Sequence, residues 1–123
     1  MKKIIIDTNA WMSFSEMRID LFSELERLCD FPYEVCVLQG SLRELEKIKK
    51  EQRGKYFRAA KLAAAIIKAK KVKVLPGEGK VDNLLTAYSH QGNLILTQDA
   101  ELKKRLTKPY FTIRQKKYVM LVR

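Results

Sequence analysis

Short apolar runs that end on an acid set the rhythm of this chain. Ile4-Ile5-Ile6 leads directly into Asp7, and Leu94-Ile95-Leu96-Thr97 leads into Asp99. Runs this short and this apolar predict strands buried on both faces. Tyr33–Leu38, Val72–Leu75, Asn93–Thr97, Tyr110–Ile113 and Tyr118–Val122 read as further strands. Between them the apolar period changes from strand-like to helical. Ile19, Leu21, Phe22, Leu25 and Leu28 predict one helix within 15–30, ended by Phe31-Pro32, with Asp7-Thr8-Asn9 as a turn and 10–14 as a connector.

A second helix is expected from Ser41, as N-cap with Glu44 in the capping-box position, to about Glu51. Arg53-Gly54 interrupts it, and an alanine-rich helix follows over 56–69. A helix over 81–90, stopped at Gly92, and a short basic one over 100–106 complete the set. Strands alternating with helices imply an α/β fold, a mainly parallel sheet covered on both faces, in one domain over 1–123.

The 123 residues suffice for one core, and 46% hydrophobic with 32% charged content suits a globular chain. No apolar stretch approaches the ~20 residues of a membrane helix. The isoleucine run stops at Asp7, too early for a secretory signal, so a cytoplasmic location without membrane association is expected. Cys29 and Cys36 lack the spacing and histidines of a zinc site and read as free thiols. The single histidine, His90, reads as a solvated residue of a last helical turn, so any reaction here has to run on carboxylates and metal.

The formal charge of +11 is unevenly spread. Twelve Lys/Arg stand against three Glu from Arg43 to Lys73, and eight Lys/Arg with no acid follow from Lys103 onward. Residues 16–34 hold six acids and two bases. One basic side facing a polyanion is the expectation, with Arg43, Lys47, Lys50, Arg53, Lys103 and Arg114 as candidate phosphate contacts. Tyr56 and Phe57 either stack on bases or belong to the core; Trp11, Met12 and Phe14 are either core or a homodimer interface.

Against that positive background, four acids stand where open α/β sheets build sites. Asp7 and Asp99 end strands, and Glu44 and Asp82 lie in first turns of helices that leave strand ends. Three of them have a local alternative: capping-box partner for Glu44, first-turn acid for Asp82, N-cap for Asp99. Together they form an oxygen donor set suited to Mg²⁺ or Mn²⁺, which can activate water and offset charge at phosphorus. Crowding among them should raise the pKa of at least one. Thr8, Asn9 and Thr97 are placed to orient such ligands. A phospho-accepting receiver arrangement is excluded because a single Asp follows the first strand, and Gly77-x-Gly79 is too short for a dinucleotide loop.

IIIDTN at 4–9, SLRELEKI at 41–48, VDNLL at 81–85 and LTQDAEL at 96–102 resemble, in order and spacing, the PIN domain family of metal-dependent ribonucleases. The resemblance implies a Rossmann-like three-layer αβα sandwich. It also implies a catalytic metal site of Asp7, Glu44, Asp82 and Asp99, with Glu101 assisting, and an RNA substrate. The IRQKKY tail at 113–118 resembles archaeal relatives of the ribosomal-RNA-processing nucleases, and toxin nucleases are the other near branch. A ribosomal precursor particle or an antitoxin is the corresponding partner. One departure stands out: where the processing branch often shows Asp-Asp, this chain has Asp82-Asn83, and Asn83 can offer only a neutral carbonyl to a metal or water. A PIN-fold RNA-binding module with little turnover is the alternative function.

Overall fold

Ile4, Ile5 and Ile6 are all fully buried because their strand, β1 (Lys2–Ile6), runs through the middle of a six-stranded sheet. The structure is a computed structural model and describes residues 1–123. The other strands are β2 (Tyr33–Leu38), β3 (Lys73–Leu75), β4 (Leu94–Leu96), β5 (Tyr110–Arg114) and β6 (Tyr118–Val122). Their order is β3-β2-β1-β4-β5-β6, parallel throughout except for β6, which pairs antiparallel with β5. Ile5 sits level with Cys36 on one side and Ile95 on the other. Connections leave β1 toward β2 but reach β4 only later, so the strand order reverses between β1 and β4. Such a reversal opens a crevice at the carboxyl ends of the two strands.

Alternation along the strands divides the core in two. Ile4, Ile6, Val37, Leu94 and Leu96 face the larger half, under Trp11 and Phe14 of α1 (Thr8–Met17), Leu45 of α3 (Gln39–Glu51) and Ala59, Ala60 and Ala63 of α4 (Lys55–Ala69). Those alanines let α4 lie close on its neighbours. Leu21 and Leu25 of α2 (Leu21–Leu28) close one end. Ile5, Cys36, Leu38 and Ile95 face the smaller half, under Leu85 of α5 (Val81–His90) and Leu102 of α6 (Ala100–Arg105). The result is the three-layer α/β arrangement expected. No helix is long and apolar enough to cross a membrane.

Three local expectations need correction. The stretch 10–14 is helical, because Asp7 caps α1 by accepting from the Thr8 N–H. Trp11, Met12 and Phe14 are therefore core residues and offer no dimer surface. The helix expected over 15–30 is two helices. Arg18 turns left-handed at φ 56°, and Asp20 caps α2 by accepting from the Phe22 and Ser23 N–H groups. Finally, α3 starts at Gln39, with no side-chain cap, so Ser41 lies inside the helix with its hydroxyl buried and unpartnered. Glu44 is thereby released from any capping duty.

Cys29 and Cys36 are free thiols, and burial pushes Cys36 up to about 11, far from a reactive thiolate. His90 ends α5 exposed, its Nε2 3.0 Å from the Arg105 carbonyl oxygen.

Gly40 fixes the approach of two site-bearing helices. A Cβ there would stand 2.9 Å from Val81 Cγ2, so the first turns of α3 and α5 touch at a point where only glycine fits. Gly40→Ala should force them apart and lower stability by about 1–2 kcal/mol in urea unfolding. Combining it with Val81→Ala should recover most of that loss. An uncorrected loss in the double variant would show that the contact is not the cause.

Candidate functional site

Asp7 leaves β1 at the β1–β4 reversal and is held there by three bonds. Its backbone N–H donates to the Leu96 carbonyl at 3.0 Å, extending the β1–β4 ladder. The Thr8 N–H donates to Oδ1 at 2.8 Å, and Thr97 Oγ1 donates to Oδ2 at 2.9 Å. The carboxyl is 6% exposed. Burial raises its pKa from 3.8 to about 6, against the lowering effect of the Thr97 and Thr8 bonds; the negative charges of Asp82 and Glu44 push it further up. An acid held in place by two donors, yet reluctant to ionise, marks the floor of the crevice.

The other acids stand around that floor. Thr8 Oγ1 donates to Glu44 Oε1 at 2.9 Å, tying the start of α1 to α3. Asp82 is exposed in the first turn of α5 and near enough to Asp7 to be felt by it. Thr97 joins the fourth: its Oγ1 also accepts from the Asp99 N–H at 3.1 Å. Asp99 is the N-cap of α6, its Oδ1 accepting from the Glu101 and Leu102 N–H groups. The segment carrying Thr97 and Asp99 is fastened to β5 through Gln98, whose Oε1 accepts from Thr112 Oγ1 and the Ile113 N–H.

Two expected helpers lie elsewhere. Glu101 points to solvent and pairs with Lys104 at 3.2 Å. Asn83 Oδ1 accepts from Arg105 Nη2 at 2.7 Å, so the carbonyl expected to serve a metal or water holds a guanidinium beside Asp82 instead. Asn9 is exposed in the first turn of α1.

As the side chains stand, no three acids close on a common point as a ready cation cage. Donor type and charge demand nevertheless fit a hard divalent ion: all four groups are carboxylates, and the buried one is raised first by its burial and further by Asp82 and Glu44.

The basic residues fall into two groups. Arg43, Lys47 and Lys50 line a hollow of about 540 Å³ along α3, and Lys50 and Arg53 line another of about 290 Å³ at the α3–α4 turn with Phe57. Lys103 lies close to both Arg114 and Asp99. Partial burial and the Arg114 charge lower its pKa, and Asp99 opposes them.

A sequence profile of the family described as PIN like domain matches residues 4–116. The chain belongs to the PIN-like domain family. Its similarity to Ribonuclease VapC4 of Methanocaldococcus jannaschii is 32% identity over 124 residues, covering 96% of this chain and 95% of that protein. The fold is also similar to the PIN domain endonuclease Utp24, with a TM-score of 0.78 and 25% identity over 98% of this chain and 91% of that one. This PIN-like chain therefore sits within a family of nucleases, which typically use a divalent metal.

Gly40, Gln98 and Arg105 went unmarked in the sequence. Gln98 could have been suspected as a polar residue between two site residues, whereas Arg105 is lost in the basic run 103–105.

Ionised Asp7 opposes folding. Because its folded pKa lies above the unfolded value, its contribution is most favourable below about pH 4 and is lost as pH rises through about 6, a cost of up to about 3 kcal/mol. Asp7→Asn should thus gain stability over the wild type at pH 8 in metal-free urea unfolding, with little or no gain below about pH 4. A difference independent of pH would show that Asp7 is not a strained charge.

Proposed function

We propose that this PIN-like protein is a metal-dependent endoribonuclease that hydrolyses RNA phosphodiester bonds, with Mg²⁺ or Mn²⁺ held by Asp7, Glu44, Asp82 and Asp99. The observation that carries the reading is Asp7: a buried carboxylate at the strand-order reversal, pushed toward its protonated form by burial and two acidic neighbours. A cation there would relieve the repulsion, which a purely structural acid would have no reason to incur.

Each residue's task follows from its placement. Thr8 orients Asp7 through its N–H and Glu44 through its hydroxyl, so one residue sets two carboxylates. Thr97 does the same between Asp7 and the Asp99 backbone. Asp82, exposed, completes the ring from the α5 side. When bound, the divalent ion supplies an acidified water and offsets charge on the phosphorus. Lys103, near Asp99 and Arg114, and Arg105, bonded to Asn83 beside Asp82, would with Arg114 hold phosphate oxygens of the strand. Arg43, Lys47, Lys50 and Arg53 would track its backbone along α3. The ribonuclease name of the VapC4 relative favours RNA over DNA as substrate.

The test is cleavage of a labelled RNA pool in Mn²⁺, Mg²⁺ or EDTA. Cutting should require metal and fall at least about 100-fold in Asp7→Asn and in Asp82→Asn, with RNA binding retained. Lys50→Ala with Arg53→Ala should flatten the dependence of log Kd on log salt by about 0.7 for each lost phosphate contact. RNA bound but uncut under every metal would overturn the enzyme and support the binding module, a reading favoured by Asn83, a neutral amide whose carbonyl already accepts from Arg105. Co-purification with a small antitoxin would assign a toxin role, and with ribosomal precursor RNA a processing role.

A further inference from the structure

We infer that the hollow between the start of α1 and the start of α4 is a nucleobase subsite, taking one unpaired base of the RNA strand next to the scissile phosphate. The inference rests on the ribonuclease reading above and adds what that site recognises. Five residues line a hollow of about 300 Å³: Asn9, Met12, Ile48, Gln52 and Tyr56.

Its chemistry is that of a flat, amphipathic ligand. Met12 is buried and Ile48 half-buried, giving an apolar floor. Tyr56, 49% exposed, is an aromatic wall with no core role. Two exposed amides flank it. Asn9 and Gln52 are both exposed, so their side-chain amides are open to a ligand. An apolar floor, a ring for stacking and paired donor–acceptor amides at the edge are what a base requires.

Position argues for the strand rather than a free nucleoside. Asn9 follows Asp7 and Thr8, and Ile48 lies one turn along α3 from Glu44, about 6 Å in rise. The hollow therefore borders the segments joined by the Thr8–Glu44 bond, next in sequence to Asp7 and one turn from Glu44. On its other side Gln52 also lines the basic hollow of Lys49, Lys50 and Arg53. Lys55 Nζ sits 5.3 Å from the Tyr56 ring centre, adding positive charge at the rim. Acids, base slot and basic hollow succeed one another as phosphate, base and next phosphate do along a chain.

The test uses a short unstructured, fluorescein-labelled RNA in anisotropy titrations against the Asp7→Asn protein, so that binding is read without cleavage. Tyr56→Ala should weaken Kd roughly 5- to 150-fold, and Tyr56→Phe should stay near the parent. Scanning abasic nucleotides through the RNA should find one position whose loss costs the parent a similar factor and costs Tyr56→Ala almost nothing. In the wild type that position should neighbour the cut. A flat scan with unchanged Tyr56→Ala affinity would overturn the base subsite, and metal-dependent cleavage by the wild type would still leave the nuclease standing. Tyr56–abasic coupling without any cleavage would do the reverse. Tyr56→Ala that loses affinity equally for every abasic RNA would also overturn it, pointing to a protein partner or to altered α4 packing.

Discussion

Everything at the functional edge depends on a carboxylate kept out of water among other carboxylates. Asp7 caps α1, closes the β1–β4 ladder and accepts from Thr97, so its position is overdetermined by local bonds. Its charge is not matched by any of them. Two neutral donors can orient a buried carboxylate, but they do not compensate its desolvation or the repulsion from Glu44 and Asp82. That uncompensated charge is the basis on which a cation is proposed to bind here.

The sheet explains why that demand falls where it does. Reversal of strand order between β1 and β4 leaves a gap at their carboxyl ends, and the helices that start nearby, α1, α3, α5 and α6, each bring one acid or one threonine to it. Gly40 sets how near α3 and α5 approach. Gln98 fastens the β4–α6 connection to β5, so Thr97 and Asp99 are held from behind. The geometry of the proposed site is thus supported by residues outside the four acids.

Much of this was legible in the sequence because the strongest signals were local. Apolar runs marked β1 and β4, and the acids after them marked the edge; β2 was marked by its β-branched, apolar end. Tyr33–Leu38 and Val81–His90 were placed to the residue. The errors came where periodicity and capping competed. Ile19 through Leu28 keep helical spacing past Arg18, yet Asp20, with Ser23 three residues on, offered a cap that marked a new start. Asp7 was read as a site residue and so not as the cap that makes 10–14 helical. Ser41 looked like a cap because Glu44 stood three residues on, but the helix began earlier, burying Ser41 and leaving Glu44 exposed beside Thr8. Long-range facts, such as Asn83 meeting Arg105 or Gln52 and Asn9 lining one hollow, have no sequence signature, since they arise only when separate helices pack.

The central claim, that the acid ring at the β1–β4 reversal is where a divalent ion binds, is tested most directly by paramagnetic broadening. Amide signals of the ¹⁵N-labelled protein would be followed during a titration with Mn²⁺. Signals of Asp7, Thr8, Glu44, Asp82 and Asp99 should broaden first and together, and Asp7→Asn should blunt the effect. Broadening centred elsewhere, for instance on the acids of 16–34, or spread evenly over the surface, would contradict the account.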